Sequence, residues 1–418
     1  MRRSCHHRAA VLALPLVIIS LAAPLSTYAS SRGPYIEQAE LLPTGEIGNA
    51  SPGTSIALSG DGQTALIGGP GDDEGQGAVW AFHRHGSTWT QQAKLTGLDE
   101  AGKGRFGQSV ALSKDGRMAL VGGPQDDAGI GAVWTFTRSS GHWEQRGLKV
   151  TAEGEVGEGL FGSAVALSSN GKTALVGSPN ENQLTGAAWV FARRGSAWIR
   201  RGEKLTGGNE EVGEAVFGSS VALSATGKTA IVGGPQDTWL GGHGCARPFT
   251  CAGGPTGAAW IFERSHASWT QQGFKLTAVQ ASHFGSYFGE SVALSGDGNT
   301  ALIGGPLDDW PNENEGAVLV FTRSDSLWSQ QGERLKNSEP GTERFDRFGT
   351  SVALADDGNT ALIGPKAWVF SRSATTWTQA PRLIAKGKVA LSSDASTALV
   401  GTTVYVNSAR SRAERHVG

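Results

Sequence analysis

An all-β repeat fold is what this sequence predicts, on three observations. The composition is rich in turn formers and aromatics, with 61 Gly and 13 Trp beside only 2 Met. One stretch of about twenty residues returns along the chain in nearly the same order. Inside each copy, short apolar runs are joined by Asp-Gly, Asn-Gly or a relative, the strongest short-range hairpin signal.

The elements follow in chain order. Residues 1–29 read as a signal peptide: Arg2, Arg3 and Arg8 precede the apolar run 9–25, and Thr27 and Ala29 suit cleavage near Ala29. With Pro15 and Pro24 inside it, that run is shorter than the roughly 20 residues a spanning helix needs. No other stretch reads as a span, so no transmembrane segment is expected after cleavage. Loss of the three arginines takes the formal net charge from −2 to −5, a balance that argues against nucleic acid as a partner. Two cysteines remain, Cys245 and Cys251, and in an exported chain they read as one disulfide.

Aligned on Val-Ala-Leu-Ser, the chain falls into seven copies, marked by Ala57, Ala111, Ala166, Ala222, Ala293, Ala353 and Ala390. A period of this length means stacked units, each too small to bury its own apolar face. Within a copy, "SVALS" and "TALIGG" are the first two strands, apolar on both faces, and "GAVWVF"-like runs form the third. "WTQQGFKLTA" is a more polar fourth. Four-stranded antiparallel sheets, buried inside and polar outside and repeated radially, make a seven-bladed β-propeller, here over residues 30–408. Blade seven lacks a fourth strand. At the other end "YIEQAELL" (35–42) matches "WTQQAKLT" (89–96), so the N-terminal strand should close the ring and remove an exposed edge. Residues 409–418 read as a basic disordered tail.

Gly227-Lys228-Thr229 and Gly171-Lys172-Thr173 imitate the end of a phosphate-binding loop. The glycine required five residues earlier is Ala222 in one case and Ala166 in the other, so no anion nest can form. Both tripeptides fall in the hairpin between the first two strands.

The repeated "FG…VALS…GGP" pattern resembles the FG-GAP repeat of the integrin alpha-subunit N-terminal β-propeller and, more closely, its secreted bacterial relatives. The resemblance covers essentially the whole mature chain, with departures in copies one, six and seven. It implies a seven-bladed propeller used in adhesion or recognition. Integrin blades hold calcium in a loop of alternating carboxylates between the first two strands. The matching turns here never carry more than two, and Asp61, Asp115 and Asp297 read as hairpin residues, so no metal site and no cofactor are expected.

Two Trp columns, Trp80 to Trp368 in the third strand and Trp89 to Trp377 at the start of the fourth, read as packing between blades. A column of arginines from Arg84 to Arg372 reads as stems covering aromatics. Neither an H-E-x-x-H helix nor a G-x-S-x-G elbow is present.

Strand alternation puts the connections between strands two and three, and from strand four to the next blade, on one face. That face is long-looped and rich in acids. Its longest connections, 236–256 and 307–315, hold Trp239 and Trp310, the two tryptophans outside both columns, with Asp308, Asp309, Glu313 and Glu315 nearby. Loops on a rigid scaffold are where binding residues gather. These observations point to a monomeric, secreted or cell-surface recognition or adhesion module without enzymatic role, presenting this face to a protein partner. A lectin-like glycan-binding propeller and a secreted hydrolase or lyase with an axial site are the alternatives.

Overall fold

The computed structural model describes residues 34–154, 156–238, 255–266, 268–278, 285–308, 315–338 and 346–408. The expected signal peptide and the basic tail lie outside them. The described residues form seven four-stranded antiparallel sheets, each with its strands in sequence order apart from the last. Blade two is representative: Ser109–Leu112, Met118–Gly123, Ala132–Ser139 and His142–Gln145 run from the axis outward. Its second strand is buried along its whole length, while its outer strand alternates exposed and half-buried side chains. The apolar-throughout and alternating patterns of the sequence correspond to those two environments.

The last blade combines Val389–Leu391, Thr397–Val400 and Thr403–Asn407 with the N-terminal strand Tyr35–Glu40. Tyr35 lies opposite Asn407 and Glu40 opposite Thr403, with a bulge between Glu37 and Ala39. The strand ends two residues earlier than the sequence suggests. Even so, the Leu41 N–H still donates to the Thr402 carbonyl at 2.7 Å and its side chain is buried. Each sequence repeat therefore supplies the outer strand of one blade and the three inner strands of the next. Closure of the ring is a consequence of that one-strand offset.

The turns between first and second strands are short and self-contained. Asp61 accepts from the Ser59 hydroxyl and the Gln63 N–H, and Asp115 and Asp297 do the same in their blades. Gly227, of the phosphate-loop look-alike, sits at φ 63° in one of these turns. One residue of every turn also reaches the next blade. The N–H groups of Gly60, Lys114, Ser169, Ala225, Gly296, Asp356 and Ser393 each donate to the carbonyl of the following member, and Ser393 returns to Gly60. The circle has seven bonds of 2.8–3.0 Å. The Lys114 ammonium and Asp356 carboxylate, from blades two and six, meet across it at 2.7 Å. This end of the axis is closed.

Apolar packing lies between blades as well as within them. The Phe106 ring meets Trp134 and Phe136 of its own blade edge-on, and the same cluster takes in Val79 and Ala81 of the blade before. Seven such clusters follow one another around the ring, the last joining Leu399 and Val404 to Ile67 and Trp80. The glycine of "FG" is required by contact. Gly107 has φ +87°, and a Cβ on it would stand 2.6 Å from the Ala78 carbonyl. Its own carbonyl accepts from the Ser55 hydroxyl at 2.7 Å, a tether from one blade to the next. In blade five, where Leu319 replaces the third-strand Trp, the Phe288 ring covers Gly305 instead.

The Arg column serves these seams. Arg138 donates to Thr64 of the preceding blade, and Arg323 and Arg372 lie over Trp328 and Trp377. Its guanidiniums are engaged locally rather than gathered into an anion ring.

Candidate binding face and axial well

The inner strands start at the long-connection face and end at the circle of turns. Two features of the molecule open toward the first of these: the set of long connections and the mouth of the axis.

Much of the acid on the long-connection face is not displayed. Asp72, Asp126, Glu181, Asp237 and Asp308 each stand two residues after the Pro of the Gly-Gly-Pro or Gly-Ser-Pro mark, and all five are buried. Each meets a base from its blade's outer strand or from the segment directly after it. Lys94 reaches Asp72 at 2.6 Å, Lys149 reaches Asp126 at 2.5 Å, and Arg334 reaches Asp308 at 2.5 Å. Lys204 pairs with Glu181 and Lys275 with Asp237 in the same manner. Blade six reverses the arrangement: Lys366 follows the proline directly, and the buried acid, Asp346, comes from the incoming connection. The other carboxylate oxygen fastens the incoming connection in several blades, accepting from Ile47, Ala101 and Val212 N–H at 2.7–2.9 Å. One buried acid thus joins three backbone segments. The strongly acidic face expected from the loop sequences is corrected accordingly, because these carboxylates are neutralised inside the molecule. What remains exposed includes Asp127, Glu153, Glu158 and Glu214.

Of the residues singled out in the sequence, Asp308 is one of this buried set. The Arg334 guanidinium and the Ser286 hydroxyl hold its carboxylate. Glu315 is half-buried at the end of the same connection. Trp239, Trp310, Asp309 and Glu313, and the pair Cys245 and Cys251, lie outside the described residues. The signal that marks the buried column was present in the sequence, as an acid two residues after the proline and a base before the Leu or Val that ends strand four.

Two further carboxyls on this face have shifted titration. Burial pushes Glu100 and Glu211 up to about 7 against the pull of the Gly104 and Gly207 N–H groups they accept from, with Asp126 and Asp237 adding to the rise. The Glu211 Oε1 is buried without a hydrogen-bond partner, as suits a neutral carboxyl. A carboxyl whose folded value lies above its unfolded one stabilises the fold at low pH, and that contribution is lost as pH rises through 7. The melting midpoint should therefore fall as the pH rises from about 5 to about 7 and level off above that. Glu100→Gln with Glu211→Gln should remove most of that slope, recovering about 1 kcal/mol per site at pH 8 after solvent screening. Parallel pH profiles for the wild type and the double variant would refute the assignment.

At the axis, the starts of the inner strands enclose a well of ≈230 Å³ lined by residues from all seven blades. Thr54, Gln108, Ser163, Ser219, Glu290 and Thr350 form its rim with Lys388, and a ring of six valines and Ile56 lies below. Among the described residues no group of His, Cys, Asp and Glu is arranged to hold a metal ion.

With this architecture in view, the class of protein is defined. The FG-GAP repeat model matches residues 89–136 and 269–321. Each match runs from the outer strand of one blade through the third strand of the next, the same offset that closes the ring. The chain is an FG-GAP repeat β-propeller protein. No curated protein sequence matches it.

Similar solved structures include hydrazine synthase from Kuenenia stuttgartiensis, at 14% identity and TM-score 0.55, covering 88% of this chain and 98% of that one. The periplasmic gluconolactonase of Pseudomonas aeruginosa is similar at 15% identity and TM-score 0.51, covering 80% and 85%. A protein from Lactobacillus plantarum gives 13% and 0.50 over the same shares. These likenesses are of fold. They overturn the expectation that the chain has no enzymatic role, which rested on absent motifs, since enzymes are among the proteins that share this ring. Catalytic groups on such a scaffold can converge from separate blades, which contiguous motifs do not reveal. Among the described residues no helix is long and apolar enough to cross a membrane.

Proposed function

We propose that this chain is an exported recognition propeller that presents its long-connection face to a protein partner. The observation that carries the reading is the apolar surface left uncovered there. Phe274, the residue before Lys275 at the foot of the 236–256 connection, is 85% exposed, and Leu98 in the connection to blade two is 83% exposed. Leu42, Ile47 and Val156 are exposed in equivalent connections. Large side chains in water around one face of a rigid ring mark an interaction surface. The exposed acids between them favour a partner with basic groups at its rim. The charged start and apolar run of residues 1–25 support export, and the periplasmic gluconolactonase is a fold relative of compatible location.

On this reading Trp239 and Trp310 supply aromatic anchors for the partner, and Asp309, Glu313 and Glu315 contribute acidic groups. Binding is to be screened with the mature chain against surface proteins and glycans. Phe274→Ser, and separately Trp239→Ala with Trp310→Ala, should each weaken the protein partner by about tenfold or more with an unmoved melting midpoint. A glycan ligand with no protein partner, or full affinity in both variants, would overturn the reading.

A further inference from the structure

The axial well has features that the proposed protein interface does not use. Four of its rim hydroxyls have their protons committed: Thr54, Ser163, Ser219 and Thr350 each donate to the carbonyl three residues back, at 2.7–2.8 Å. What each can offer inward is a lone pair. The fifth member, Gln108, has its Oε1 buried without a hydrogen-bond partner, turned away from the open well. The sixth is Glu290, exposed and in no ion pair with any described residue. The rim thus presents four hydroxyl acceptors and one negative charge to the well.

Two departures from this pattern define what fits. Lys388, the only cation lining the well, is exposed and likewise without an ion-pair partner among the described residues. Below the rim, six valines and Ile56 alternate with five serines, four of which donate their protons to glycine carbonyls of the next blade. A neutral polyol would leave both Glu290 and Lys388 without a counter-charge. A polyamine would meet Lys388 as a like charge. A ligand with an ammonium, a carboxylate and an apolar body satisfies all three parts. The volume of ≈230 Å³ accommodates one such molecule of amino-acid size.

The geometry points to the axial well as a binding site for a free α-amino acid with an aliphatic side chain. Its ammonium sits against Glu290 and the hydroxyl oxygens, its carboxylate on Lys388, and its side chain on the valine ring. The site is separate from the proposed protein interface and does not depend on it.

Calorimetry with L-leucine on the mature protein tests this. Saturable one-to-one binding is expected, with N-acetyl-L-leucine and L-leucinamide each weaker by about tenfold for loss of one charged contact. Glu290→Gln should weaken leucine by a similar factor while leaving N-acetyl-leucine unchanged. Lys388→Met should weaken leucine while leaving leucinamide unchanged. Both side chains are exposed, so a matching far-UV spectrum is expected to confirm folding. Absence of leucine binding at millimolar concentration overturns the proposal. Saturation by glucose or putrescine in its place does so too, as does unchanged leucine affinity in both variants.

Discussion

Deletion of residues 30–43 should leave a chain that no longer melts cooperatively and that aggregates at room temperature. The N-terminal strand is the outer strand of blade seven, paired to Thr403–Asn407 from Tyr35 to Glu40. Its loss exposes one long unpaired edge, a template for pairing with another chain. It also removes Tyr35, whose hydroxyl donates to the Ala395 carbonyl at 2.6 Å, and Leu41, buried with Trp80 and Leu399 at the seam between blades seven and one. Ring and seam fail together because each blade is stable only against its neighbours. A truncated protein with the full-length melting curve would show that the ring does not depend on this strand.

The second large effect is expected at the buried acids. Asp126→Ala should destabilise the fold by about 3–5 kcal/mol, the cost of leaving a partly buried charge without its partner. Lys149 would lose its carboxylate and the Ala101 N–H its acceptor, releasing the incoming connection. The adjacent Asp127 is exposed. Asp127→Ala should change stability by no more than about 0.5 kcal/mol. Denaturant unfolding of the two variants side by side makes the comparison. Equal midpoints would mean that the buried column carries no structural load.

That contrast also marks where sequence reading reaches and where it stops. "FG", "VALS" and the Asp-Gly turns report local geometry, so strands, hairpins and blade number are legible from them. The closing strand is legible too, because Tyr35–Leu42 repeats the spacing of a fourth strand found in full elsewhere. Asp72 and Asp127 look alike as letters in acidic loops, yet one is buried under Lys94 and the other faces water. Charge summed over a loop does not register burial. The axial rim escapes for a different reason. Thr54, Gln108, Ser163, Ser219, Glu290 and Thr350 hold one position in successive copies, and only closure of the ring turns that column into a site. Absence of a contiguous motif does not exclude an enzyme for the same reason, and enzymes do share this fold.

A closed ring holds both the long-connection face and the axial well in place. Native-state hydrogen exchange on the amides of Gly60, Lys114, Ser169, Ala225, Gly296, Asp356 and Ser393 tests it most directly, since these seven form the circle around the axis. Exchange of all seven as one protected class, at the rate of global opening, is the predicted result. Fast exchange at Ser393, whose N–H donates to the Gly60 carbonyl, with slow exchange at the other six would show a ring open between blades seven and one, the opposite of closure.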